Sequence, residues 1–159
     1  MLLTPALSLP LQTAWLIPLY GFAGMLVSLP WAFGWFRRDA HRPPAYLNIL
    51  LTLLAVVHGS LVLREVMANG PALIGMPWLT VGDLNLEISF SLSLTNVSAL
   101  ELITGLSLLS QIYSLGYLDK EWALARFFAL LGFFEGAMSG VVLSLSLIHI
   151  SEPTRQEAI

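Results

Sequence analysis

The chain has 159 residues, 57% of them hydrophobic and only 11% charged, with a formal charge of −3 and a mean hydropathy of +0.79. Globular domains carry about a quarter charged residues, so this composition points to a membrane protein. The chain has no cysteine, which removes disulfides, thiolate metal ligands and thiol nucleophiles, and its acidic balance offers no basic surface for nucleic acid.

Residues 1–13 are apolar but broken by Pro5 and Pro10, an uncertain lead-in without the positive n-region and small-residue cleavage site of a signal peptide. A first span is expected over 14–36. Trp15 opens it and Trp31 and Trp35 close it, as in an interfacial aromatic belt. Pro18 is cheap near the start, whereas Pro30 predicts a kink or an early end. Arg37, Arg38, His41 and Arg42 then form a basic loop, which the positive-inside rule places in the cytoplasm. A second span follows at 46–66, with His58 near its middle. An ionisable group at that depth has a polar partner, either as a neutral histidine bonded to a neighbouring helix or as part of a proton relay.

From Met67 to Ser93 the pattern changes. Gly70, Pro71, Gly75, Pro77 and Gly82 punctuate the segment, and Leu84, Leu86, Ile88 and Phe90 alternate with polar residues. That period of two predicts a hairpin near 77–90, with residues 78–81 pairing across Gly82-Asp83. Open strand edges are unstable in lipid, so the hairpin belongs outside the hydrocarbon, on the non-cytoplasmic side.

A third span is expected over 95–115. Glu101, Thr104, Ser107, Gln111 and Ser114 share one broad helical face, turned to protein or a hydrated cavity. Glu101 lies only about two turns in, where capping a loop and being buried are both open. After an acidic loop (Asp119, Lys120, Glu121) a fourth span runs over 122–144, with Arg126 in reach of headgroups or of Asp119 and Glu121. Gly132, Gly136 and Gly140 recur every four residues, a seam for close helix packing. Beside it sits Glu135, which at that depth costs at least ~2.5–3.5 kcal/mol if it faces lipid. It is therefore read either as a tether to a helix outside this chain or as a proton carrier. Residues 145–159 lose the helical pattern, and 145–155 (LSLIHISEPTR) resemble the translation of a sequencing-library adapter, so 145–159 are set aside. The fold expected is all-α and membrane-embedded: about four transmembrane helices within 14–144 plus the hairpin.

The sequence has no GxGxxG, Walker A, HExxH or GxSxG motif, and its histidines are too scattered for a metal site. Buried ionisable groups that move protons, with Glu135, Glu101 and His58 as candidates, are the only chemistry left.

The order of a Trp-flanked span, FRRDAHRPPAYLN, MPWLTVGDLNLEISF and QIYSLGYLDKEWALARFFALLGFFEGAM resembles the N-terminus of the antiporter-like subunit five of cyanobacterial and chloroplast-type NAD(P)H-quinone oxidoreductase, a relative of complex I. Tyr113, Ser114, Asp119, Arg126, Phe127 and Phe128 carry the most specific part. HRPPAYLN, MPWL, ARFFAL and the FFE ending at Glu135 are most similar to the carbon dioxide uptake branch. The resemblance implies a proton-translocating subunit of a thylakoid NAD(P)H/ferredoxin:plastoquinone oxidoreductase. Its partners would be other membrane subunits, the bilayer and peripheral carbon dioxide hydration subunits. No cofactor would be bound by this stretch, since quinone and iron–sulfur clusters reside in other subunits. It also implies that the family's glutamate on a fifth helix and its later lysines lie beyond this stretch, which would be inactive alone. Asn96 stands where the family has an acidic residue, with Glu101 as a displaced substitute. A small cation/proton antiporter subunit or a structural assembly protein are the competing readings. An internal repeat would favour a transporter, and the sequence shows none.

Overall fold

A computed structural model describes residues 8–35, 42–81, 84–118 and 123–144. A short helix α1 (Leu9–Gln12) and a 3₁₀ turn (Ala14–Leu16) lead into α2 (Ile17–Ala32). Next come α3 (Arg42–Asn69), the strands β1 (Ala72–Val81) and β2 (Leu84–Leu92), α4 (Leu94–Tyr117) and α5 (Leu124–Ser144). Residues 1–7, Arg37, Arg38 and His41 of the expected basic loop, Gly82 and Asp83 of the expected turn, 119–122 of the expected acidic loop, and 145–159 lie outside the described residues.

The first span ends earlier than the expected residue 36. Pro30 is the last proline the helix accommodates, and Gly34 takes a left-handed φ of 78°. Gly34 N–H then donates to the Trp31 carbonyl at 3.1 Å and Trp35 N–H to the Pro30 carbonyl at 2.9 Å, a double closure that satisfies the last carbonyls and stops the helix. Arg126 does not meet lipid headgroups alone: its Nε donates to the Ala32 carbonyl at 3.1 Å, tying the start of α5 to the end of α2.

Among the described residues, three stretches are long and apolar enough to cross a membrane: Ala14–Ala32, Arg42–Asn69 and Leu124–Ser144. The expected third span, α4, has 24 residues, ~36 Å at 1.5 Å per residue, and so meets the length criterion. It falls short in apolar content because one face is polar. That face is turned inward: Thr104, Ser107, Gln111 and Ser114 are buried and Glu101 half-buried, while Leu102, Leu106, Leu109 and Ile112 point outward.

The strands pair antiparallel, from Ala72 opposite Leu92 to Val81 opposite Leu84. The hairpin is thus longer than 77–90. The pairing is irregular between Pro77 and Leu79, as expected where a proline cannot donate to the ladder. A single residue, Ser93, joins β2 to α4. Its hydroxyl accepts from Asn96 N–H at 3.2 Å, and the Asn96 side chain donates to the Ser91 carbonyl at 3.1 Å. Asn96 thus serves the corner between β2 and α4. Ser93→Ala should cost ~1 kcal/mol through the lost cap, read as a lower Tm of the detergent-solubilised protein.

Two apolar clusters form the core. One joins Leu11, Ala14 and Ile17 to Val62, Val66, Leu92, Val97, Leu100 and Leu143 at the hairpin end. The other, Ala45, Leu124 and Phe128, lies at the opposite end. Between the clusters the interior is polar.

Candidate functional site

Two helix interfaces build the polar interior. On one, α2 and α5 meet backbone to backbone. A Cβ placed on Gly21 would lie 2.7 Å from Gly136 Cα and 2.8 Å from the Gly132 carbonyl oxygen. The glycines at 132 and 136 are thus the seam the sequence predicted, and their partners are Gly21 and the backbone of Pro18 and Met25. Gly140 is looser, 3.9 Å from Pro18 Cβ.

On the other interface, α3 presents Asn48, Thr52, Ala55, Gly59, Val62 and Val66, spaced alternately by four and three, as one buried face. Asn48 Nδ2 donates to the Phe128 carbonyl at 2.8 Å and to Ser28 Oγ at 3.3 Å, while Ser28 Oγ donates to the Gly24 carbonyl at 2.8 Å. Asn48 thereby ties α3 to both helices of the glycine seam.

One turn further along α3, Thr52 reaches Glu135. Glu135 is only 1% exposed. Its Oε2 accepts from Thr52 Oγ at 2.7 Å, Ser107 Oγ at 2.8 Å and Gln111 Nε2 at 3.2 Å. Gln111 Nε2 also lies 2.6 Å from Thr52 Oγ and 3.3 Å from Ser107 Oγ, so its two protons are shared among three acceptors. Those bonds occupy lone pairs of both hydroxyls, so each hydroxyl proton is directed onto the carboxylate. Oε1 has no hydrogen-bond partner among the described residues. The group therefore has one oxygen held by three neutral donors and the other free to take or release a proton.

The expectation that a tether for Glu135 would come from outside the chain is corrected here. Its donors sit on α3 and α4 of the same chain, and two of them belong to the polar stripe read on α4. Thr52 and Asn48 escaped the sequence reading. Their signal was a polar pair four apart within the apolar run from Ala45 to Val57. Burial of Glu135 beside Gly132 and Gly136 is as expected.

Glu101 and His58 are not in this cluster. Ser60 Oγ donates to Glu101 Oε1 at 2.6 Å. His58 Nε2 lies 3.0 Å from Thr13 Oγ and 3.4 Å from the Pro10 carbonyl oxygen, with the Tyr20 ring centroid 6.0 Å away. The histidine therefore fastens the lead-in segment to α3, as in the hydrogen-bonded reading of this residue.

Residues 78–128 match the family described as NADH-Ubiquinone oxidoreductase (complex I), chain 5 N-terminus. Over 151 residues and 94% of its length, the chain is 65% identical to NAD(P)H-quinone oxidoreductase subunit 5, organellar chromatophore 2, of Paulinella chromatophora, covering 24% of that protein. The chain is thus similar to the N-terminal region of complex I chain 5. It is 28% identical to the chromatophore 1 subunit 5 of the same organism over 145 residues, 87% of this chain and 21% of that protein. To the chloroplastic subunit 5 of Chlorokybus atmophyticus it is 28% identical over 151 residues, 86% of this chain and 21% of that one. The chain thus spans less than a quarter of the length of these relatives. The family match takes in the hairpin from Trp78, all of α4 with Glu101, Ser107 and Gln111, and the start of α5. Thr52 and Glu135 lie outside it.

Proposed function

We propose that this stretch forms the first helices of a proton-translocating membrane subunit of an NAD(P)H/ferredoxin:plastoquinone oxidoreductase of the carbon dioxide uptake type, with Glu135 as a proton carrier. The observation that carries the reading is the buried carboxylate with one oxygen fixed and one free. A group that merely tied helices together would gain from engaging both oxygens.

The branch assignment draws support from the two Paulinella proteins. One organism has two subunit 5 forms, and this chain is 65% identical to one and 28% to the other, the same distance as to the Chlorokybus chloroplastic form. Such a split separates this chain from the general form and suits a specialised one. Hydrating carbon dioxide releases a proton for each bicarbonate formed, so a hydration site beside the membrane needs a buried acceptor to carry that proton away. On this reading the partners are the other membrane subunits and peripheral hydration subunits. Quinone and iron–sulfur clusters belong to those other subunits, and the site of action is the thylakoid membrane. Activity belongs to the assembled complex and not to residues 1–159 alone.

Glu135→Gln in the full-length subunit tests this. The amide keeps an oxygen for Thr52 and Ser107, so the complex should assemble while carbon dioxide uptake falls by roughly 10²-fold. Uptake at the unmodified rate would return Glu135 to a structural tether.

A further inference from the structure

The same α3–α4 interface holds a second carboxylate. Glu101 sits near the hairpin end of α4, half-buried, with Oε1 bound by Ser60 Oγ at 2.6 Å. Its Oε2 is buried without a hydrogen-bond partner among the described residues. That oxygen lies against the bare backbone of Gly59, where a Cβ would come within 2.6 Å of it. The contact is specific, because any residue but glycine at 59 would push the carboxylate away.

Gly59 and Thr52 lie on one face of α3, seven residues or ~10.5 Å apart, and Glu101 and Ser107 on α4 are six residues or ~9 Å apart. The helices run antiparallel, so Gly59 faces Glu101 while Thr52 faces Ser107, Gln111 and Glu135. On the buried faces of α3 and α4, Ala55 and Thr104, both fully buried, fall in height between the two carboxylates. Thr104 Oγ donates to the Leu100 carbonyl at 3.1 Å, which leaves its lone pairs to accept. Both carboxylates share one design: one oxygen anchored by at least one hydroxyl donor, the other buried without a partner among the described residues.

We propose that Glu101 and Glu135 are two stations of a single proton path in the α3–α4 interface, running from the hairpin end to the middle of the helix bundle. The inference rests on the reading of Glu135 as a proton carrier and adds its direction and second member. A proton leaves the free oxygen of one carboxylate as a neutral carboxyl becomes an anion, and the other gains it. At ~10 Å from the helical rise the separation is too long for one hop, so the relay requires water entering the interface, or the Thr104 hydroxyl turning from the Leu100 carbonyl to pass its own proton on as it accepts another. The two groups never carry the proton together.

Glu101→Gln, Glu135→Gln and the double variant are made in the full-length subunit within its complex. Assembly is followed by native gel and proton-coupled turnover by pH-indicator uptake in vesicles. The amide at 101 still accepts from Ser60, so assembly should be normal. Each single variant should lose about tenfold or more in turnover, and the double variant should lose no more than the worse single one, because a series path is already broken. Gly59→Ala, which displaces Glu101 without removing it, should lower turnover in the same direction. A fully active Glu101→Gln beside an inactive Glu135→Gln would overturn the two-station path and leave the Glu135 reading intact. Losses that multiply in the double variant would likewise mark two separate routes. A fully active Glu135→Gln would overturn both.

Discussion

Gly21→Val should keep the protein from accumulating in the membrane, or leave it with a greatly lowered Tm. The reason is the nature of the neighbours. The added Cβ would meet Gly136 Cα at 2.7 Å and the Gly132 carbonyl oxygen at 2.8 Å, and both are backbone atoms that no rotamer change can move. The contact is reciprocal, since a Cβ on Gly132 would come within 2.9 Å of Met25 N and one on Gly136 within 2.9 Å of the Pro18 carbonyl oxygen. Overpacking that side chains can absorb costs ~1–3 kcal/mol. Here α2 and α5 must separate along their length, carrying with them the Asn48 bridge to Phe128 and Ser28, so the loss exceeds that range. Gly140→Ala is the internal control. It belongs to the same four-residue repeat, yet its Cβ would find only Pro18 Cβ at 3.9 Å, an ordinary contact. Its Tm should match the parent or rise slightly, because alanine favours a helix over glycine by ~1 kcal/mol. Equal stability of the two variants, measured on detergent-solubilised protein, would refute the close crossing.

That control also marks how far the sequence could be read. The repeat at 132, 136 and 140 announced a packing seam but made its three members look alike. Only the placement of α2 separates two indispensable glycines from a replaceable one. Gly21 and Gly24 stand three apart in a helix bounded by Pro18 and Pro30, too few to show a period of their own. The second strand was legible from the alternation of Leu84 to Phe90. The first half of β1 was not, because Gly75 and Pro77 are residues that usually end strands, and the ladder tolerates them through an irregularity next to Pro77. The stripe on α4 and the lone acid on α5 were both visible. That they meet depends on the relative height of two helices, which no single helix encodes, and so the sequence left Glu135 looking for a partner elsewhere. His58 announced a polar contact by its depth, yet its partner, Thr13, sits in a proline-broken lead-in to which the sequence assigned no element.

Glu135→Leu should abolish proton-coupled activity while leaving the protein as stable as before, or slightly more so. Two opposing magnitudes decide this. Removing the carboxylate forfeits three hydrogen bonds from neighbouring helices, worth on average ~0.6 kcal/mol each inside a membrane and so about 2 kcal/mol together. It also removes the cost of keeping an ionisable group at mid-membrane depth, ~2.5–3.5 kcal/mol. The groups left behind are not stranded. Thr52 Oγ and Gln111 Nε2 remain bonded at 2.6 Å, Gln111 still reaches Ser107 at 3.3 Å, and hydroxyls within a helix can turn to their own backbone. Leucine fills a similar volume between Thr52 and Ser107, so no large cavity opens. The balance is close to zero and tilts toward the leucine variant, as when buried ionic groups elsewhere are replaced by well-packed apolar ones. On the proposed reading, a carboxylate that contributes so little to stability is there for what it does with protons. The measurement is paired: Tm of the solubilised protein and proton uptake by vesicles carrying the full-length subunit. A Tm loss as large as that of Gly21→Val would mean that the carboxylate holds the helices together, and the argument for a carrier would fail with it.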